Sequence, residues 1–136
     1  MSQVLLSGFA DEIGSDVTEQ IDGLQVNQLH YLDLRAIGGK NVLDLDAVEI
    51  DTYCQQFNDA NIGVACIGSP IGKVQIHSDL DAHFARFKVA VERARQFNTS
   101  NVRIFSFYHQ NEEPAVCRQE VITQLQRMVK YAADFD

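Results

Sequence analysis

An α/β fold of four βα units with parallel strands is the architecture that this sequence of 136 residues predicts. Three observations carry it. An apolar, strand-like run and an amphipathic, helix-like stretch alternate four times. The runs begin at residues 4, 30, 63 and 102, intervals that hold a strand and a crossover helix each time. Asn27, Asn61 and Asn98 stand near helix ends before the next run, where a left-handed residue reverses the chain. No linker, low-complexity tract or charge block divides the units, so residues 1–136 read as a single domain.

The strands are VLLSGFA at 4–10, HYLDLRAI at 30–37, GVACIGS at 63–69 and VRIFSFY at 102–108. After the first, Val17, Ile21 and Leu24 form one apolar stripe, and Asp16 with Glu19 has the spacing of a capping box. The second helix follows Asp44 and aligns Ala47, Ile50, Cys54 and Phe57. The third, with Ser78 as its cap, repeats an apolar residue every three or four positions in Leu80, Phe84, Phe87, Val91 and Ala94. Pro114 suits the first turn of the fourth, which places Val121, Leu125, Met128 and Ala132 on one side.

Between the third strand and third helix lies CIGSPIGKVQI at 66–76, shaped by two glycines and by Pro70. A nucleoside-triphosphate loop needs its glycines five positions apart, then Lys and a hydroxyl residue. Gly68 and Gly72 are four apart, and Val74 follows Lys73 where the hydroxyl belongs, so this loop is of another kind.

Composition narrows the partners. A net charge of −8 and a pI near 4.8 repel phosphodiester backbones, which argues against nucleic acid. No apolar run approaches the ~20 residues of a membrane helix, and MSQVLLSGFADEI lacks the basic start of a secretion signal. The expected location is cytoplasmic. Cys54, Cys66 and Cys117 are odd in number, widely separated and without a CxxC pair, so they read as reduced thiols in or near the core rather than as a disulfide framework or zinc site.

Side chains alternate across a strand, so Tyr31, Asp33 and Arg35 share one face and Leu32 and Leu34 the other. Arg103, Phe105 and Phe107 likewise oppose Val102, Ile104 and Ser106. A charge within a sheet is costly without a partner, so Arg103 either pairs with Asp33 or sits at a solvated strand start. Ligands of parallel α/β proteins bind beyond the carboxyl ends of the strands. There the chain collects Asp11 and Glu12, Arg35, Ser69 and Lys73, and Tyr108 and His109. His30, His77 and His83 form no metal cluster with one another, and His83, off the apolar stripe, reads as solvated. Glu112 and Glu113 favour a helix start, and Asp44, Asp46, Glu49 and Asp51 read as a solvated face.

With FADEI at 9–13, LDLRAIGGKNVLDL at 32–45, IGSPIGK at 67–73 and RIFSFY at 103–108, in that order, the chain resembles the sugar phosphate isomerase/epimerase family, the xylose-isomerase-like barrels. The resemblance covers nearly all of the chain. It implies strand order 1-2-3-4 and one half of a TIM (β/α)8 barrel, with IGSPIGK lining a pocket for a polyhydroxylated or phosphorylated small molecule. It implies substrate-binding roles for Glu12, Arg35, Ser69, Lys73, Tyr108 and His109, with Lys73 meeting a phosphate or hydroxyl. Family members hold a divalent metal (Mn, Mg, Zn or Co) through Glu, Asp and His residues on strands five to eight, and that metal assists proton transfer next to a carbonyl. Those strands have no counterpart here. No metal ligand and no catalytic base is therefore assigned, and the chain alone is expected to bind no cofactor and to be inactive.

A half-barrel leaves its first and fourth strands as open edges. The expectation is a truncated piece or self-association, with a homodimer or a missing C-terminal half as partner. Two functions follow: the substrate-binding half of a sugar or sugar-phosphate isomerase or epimerase, or a non-catalytic half-barrel that serves binding or oligomerisation. A third reading is a small doubly wound domain of flavodoxin type, which strand order discriminates.

Overall fold

The computed structural model describes residues 4–135. Alternation in Tyr31–Leu34 decides which side of the sheet is covered: Leu32 and Leu34 are buried, while Tyr31 and Asp33 are half-buried on the other side. This strand, β2, is the middle of a parallel sheet in the order β1-β2-β5, where β1 is Ser7–Gly8 and β5 is Gly63–Ile67. Tyr31 pairs with Gly63 and Leu34 with Ile67, and the register shifts between Leu32 and Asp33. Helix α1 (Val17–Val26) crosses from β1 to β2, and α2 (Ala47–Asp59) crosses from β2 to β5.

Two departures overturn the four-unit half-barrel. First, the strand expected at 30–37 ends at Leu34, and the chain folds into a separate antiparallel pair, β3 (Ala36–Ile37) and β4 (Lys40–Asn41). Gly38 and Gly39, at φ +61° and +76°, make the two-residue turn that such a pair requires. Second, VRIFSFY is not a strand. It touches the sheet through one parallel bridge, Ile67 with Val102. Ile67 N donates to Asn101 O and Arg103 N to Ile67 O to make that bridge, and beyond it the backbone follows the Gly-Pro loop instead, with Phe105 N donating to Ile71 O and Tyr108 N to Val74 O. Those acceptors take the hydrogen bonds a ladder would use. Phe107, at φ +69°, also lies outside any strand conformation. Among the described residues, three parallel strands and an antiparallel pair therefore replace four parallel βα units in the order 1-2-3-4.

The helices follow the apolar period. Phe84, Phe87, Val91 and Ala94 of α3 (Leu80–Gln96) are buried, each Phe contributing roughly 2 kcal/mol of burial. Phe57 of α2 meets Phe97, just past α3, with ring centroids 6.4 Å apart. Helix α4 (Pro114–Ala132) begins at its proline and buries only Cys117, Gln124 and Met128. Asp16 caps α1, Asp46 and Glu49 form a full capping box on α2, and Asp79 caps α3. Ser78, expected in that last role, instead donates to Gln75 O, because the helix starts one residue later. Asn61 and Asn98 are left-handed as expected, whereas after α1 the turn falls on Gln28 rather than Asn27.

Two arginines of α3 clasp the segment that follows the hairpin. Arg93 donates to the carbonyls of Val42 (3.1 Å) and Leu45 (2.6 Å), and Arg86 pairs with Asp44. Burial pulls the Arg93 guanidinium below its ordinary pKa, yet these carbonyls satisfy its donors.

Candidate functional site

At the carboxyl ends of the three strands, five side chains alternate cation and ring. The Arg35 guanidinium lies 4.8 Å from the Phe9 ring, and Arg103 lies 4.9 Å from the same ring. Arg103 is also 4.7 Å from Phe105, whose ring carries Lys73 Nζ at 4.7 Å. Each contact is worth about 0.5–1 kcal/mol where water remains nearby, so the row is a scaffold with modest individual links.

The cations differ in their partners. Arg35, following β2, donates to Asp11 at 2.6 Å and to Glu12 at 2.5 Å. Asp11 first, then Glu12, raises the Arg35 pKa further above its already high ordinary value. Arg103 has no carboxylate partner among the described residues. The expected pair with Asp33 is absent: Asp33 receives the Ser7 hydroxyl, while Arg103 Nη2 donates to the carbonyls of Gly68 (3.0 Å) and Ser69 (3.1 Å). Nor does Arg103 lie at a solvated strand start. Its Nε is buried and unpartnered, as is Asp11 Oδ1. Lys73 is exposed and forms no ion pair among the described residues.

The Gly-Pro loop is rigidly tied. Ser69 is fully buried, its hydroxyl donating to Arg103 O at 2.5 Å and accepting from Ile71 N. Ser69 therefore shapes the loop. Gly72 adopts φ +85°, and a Cβ there would collide with the Phe105 carbonyl. Its N–H donates to His83 Nε2 at 2.8 Å, which fixes that nitrogen as the unprotonated one. His83 is thus a half-buried loop anchor beside Phe107, not a solvated residue, and burial lowers its pKa.

Of the residues singled out in the sequence, Glu12, Arg35, Ser69 and Lys73 meet in this row or directly support it. Tyr108 and His109 belong elsewhere: Tyr108 is half-exposed and bridges Gln75, and His109 Nδ1 bonds the Glu112 carbonyl at 2.7 Å. Glu112 is not merely a helix-start acid. It accepts from the Cys117 thiol (2.9 Å) and from His77 Nε2 (3.1 Å), and these bonds, the thiol's first, hold its carboxyl below the ordinary range. Phe9, Phe105 and Arg103 were not among the expected binding residues, although FADEI and RIFSFY contain all three.

The row does not suit a divalent metal. Its two carboxylates are engaged by Arg35, and its other charged side chains are the cations Arg103 and Lys73. Anions and hydroxyls fit it better. The sequence matches no protein-family model and no curated protein closely enough to assign it to a family.

Proposed function

We propose that the chain binds a phosphorylated, polyhydroxylated small molecule of the sugar-phosphate class, as the substrate-holding part of a sugar or sugar-phosphate isomerase or epimerase. One observation carries the binding reading: Arg103 and Lys73, two cations without acidic partners among the described residues, converge on the Phe105 ring at the strand ends. Arg103 Nε and Asp11 Oδ1 lie buried and unpartnered beneath the same row. The isomerase or epimerase activity rests on the sequence resemblance. A divalent metal for it would have to come from residues outside this row, and no general base is assigned.

Calorimetry against a panel of pentose and hexose phosphates, the parent sugars and inorganic phosphate tests this. Saturable binding of a sugar phosphate, tighter than of phosphate or the sugar alone and lost in Lys73→Ala, is the expected result. No heat from any member would end the reading.

A second reading is self-association. Val4, Leu5 and Leu6 are 81%, 61% and 66% exposed beside β1, whose other edge pairs with no strand among the described residues. Light scattering would show a dimer that Leu5→Asp with Leu6→Asp converts to monomer. A monomer at all concentrations would exclude it.

A further inference from the structure

The row of cations leaves a second cluster unexplained. His77 precedes α3, Glu112 precedes α4, and Cys117 lies in the early turns of α4. Their donor atoms, one from each residue, all lie within 4.8 Å of one another. Two of the three separations are 3.1 Å and 2.9 Å. We propose that His77, Glu112 and Cys117 form a binding site for a thiophilic divalent cation of the zinc type.

The donor set is the first argument. One imidazole nitrogen, one carboxylate and one thiolate are the three ligand types zinc takes, and a mixed N, O, S set of this kind disfavours magnesium and calcium. Geometry is the second. With bonds of about 2.1 Å to nitrogen or oxygen and 2.3 Å to sulfur, tetrahedral ligands stand roughly 3.6 Å apart. The widest separation here must close by about 1 Å at most, given the 4.8 Å limit. His77 and Glu112 have half-exposed side chains, at 51% and 41%, and are free to make that adjustment. Cys117 is buried and holds the inner position.

The backbone pre-arranges the cluster. Ile76 N donates to Tyr108 O and Tyr108 N to Val74 O, which sets the approach to His77 beside the 108–112 turn. His109 Nδ1 closes that turn on the Glu112 carbonyl. That bond makes Nδ1 the protonated nitrogen and leaves Nε2 with a lone pair. His109 also lines the cavity beside Cys117. At present the thiol and the imidazole both bond to one carboxylate. Binding would replace that arrangement: the His77 proton moves from Nε2 to Nδ1, the ion takes the thiolate, the freed Nε2 lone pair and a carboxylate oxygen, and the thiol proton goes to the buffer. None of the three ligands belongs to the Arg103–Lys73 row, so this site and the sugar-phosphate reading stand or fall separately.

Cobalt(II) tests the proposal on the full, reduced chain, because cobalt bound to thiolate gives a charge-transfer band. The band should grow to one equivalent and vanish when zinc is added. It should be absent in Cys117→Ser, and His77→Ala should weaken cobalt binding by about tenfold or more. No band, or an unchanged band in Cys117→Ser supplied by Cys54 or Cys66, overturns the site. If Cys117→Ser does not fold, the exposed His77→Ala decides alone: unchanged cobalt affinity overturns the proposal.

Discussion

Replacing Gly72 with alanine should destabilise the fold far more than its single methyl group suggests. Two terms act together. The residue adopts φ +85°, in the left-handed region where a Cβ costs roughly 1–2 kcal/mol. The added Cβ also points at the Phe105 carbonyl, which is backbone and has no alternative rotamer to adopt. One of the two segments must therefore move. Movement breaks the 2.8 Å bond from Gly72 N to His83 or the 2.8 Å bond from Phe105 N to Ile71. A half-buried bond lost in this way costs about 1 kcal/mol, and more where a partner stays dry. The sum is about 3 kcal/mol, less a few tenths recovered from the stiffer unfolded chain. Gly39→Ala is the control. Gly39 has φ +76° but open space where its Cβ would go, so only the strain remains, about 1 kcal/mol. Urea unfolding of both variants reads the difference directly. Equal losses would refute the close-approach argument, and with it the view that the Gly-Pro loop is locked against residues 103–108.

Other consequences are measurable. Lys73→Ala should leave stability within about 0.5 kcal/mol, because the side chain is exposed; Arg103→Met, which strips the donors from the Gly68 and Ser69 carbonyls, should cost about 2 kcal/mol in denaturant melts. His83 is held neutral by burial below its ordinary pKa of 6.5, so the unfolded chain binds the proton more readily. Its contribution is complete above pH 6.5 and should fade as pH falls through its lowered folded value; His83→Gln, which keeps an acceptor, should flatten that part of a stability-against-pH curve. Asp46→Ala removes the capping box of α2 and should cost about 1 kcal/mol, with helical signal lost in the same transition.

The helices were legible because their apolar residues repeat at helical spacing, and Phe84, Phe87 and Val91 are buried as that spacing requires. The hairpin carried a signal that the strand reading passed over: Gly38-Gly39 between short extended runs is a two-residue turn. The fourth strand failed for a reason composition conceals. Val102, Ile104 and Phe105 suit a strand, but past the single bridge at Val102 the backbone partner that Phe105 uses belongs to a loop, and nothing in side-chain type announces where a carbonyl will be. Arg103 was misplaced on the same account, since its acceptors are main-chain atoms of Gly68 and Ser69. The salt link of Arg35 with Asp11 and Glu12 was within reach, because all three lie at strand ends. His77 and Glu112 lie 35 positions apart, and only the loop that displaced the fourth strand brings them together.

The arginine clasp also has a temporal side. Arg93 reaches back 51 positions to Val42 and 48 to Leu45. At roughly 5–20 residues per second on the ribosome, that stretch emerges about 3–10 s before its clasp does. For those seconds Val42, Leu43 and Leu45, which end nearly without exposure, stand uncovered. Asp44 and Asp46 sit among them, and charges interleaved with apolar residues discourage a nascent chain from sticking to its neighbours. The same acids that meet Arg86 and cap α2 thus also interrupt an apolar run that would otherwise be continuous before its cover is made.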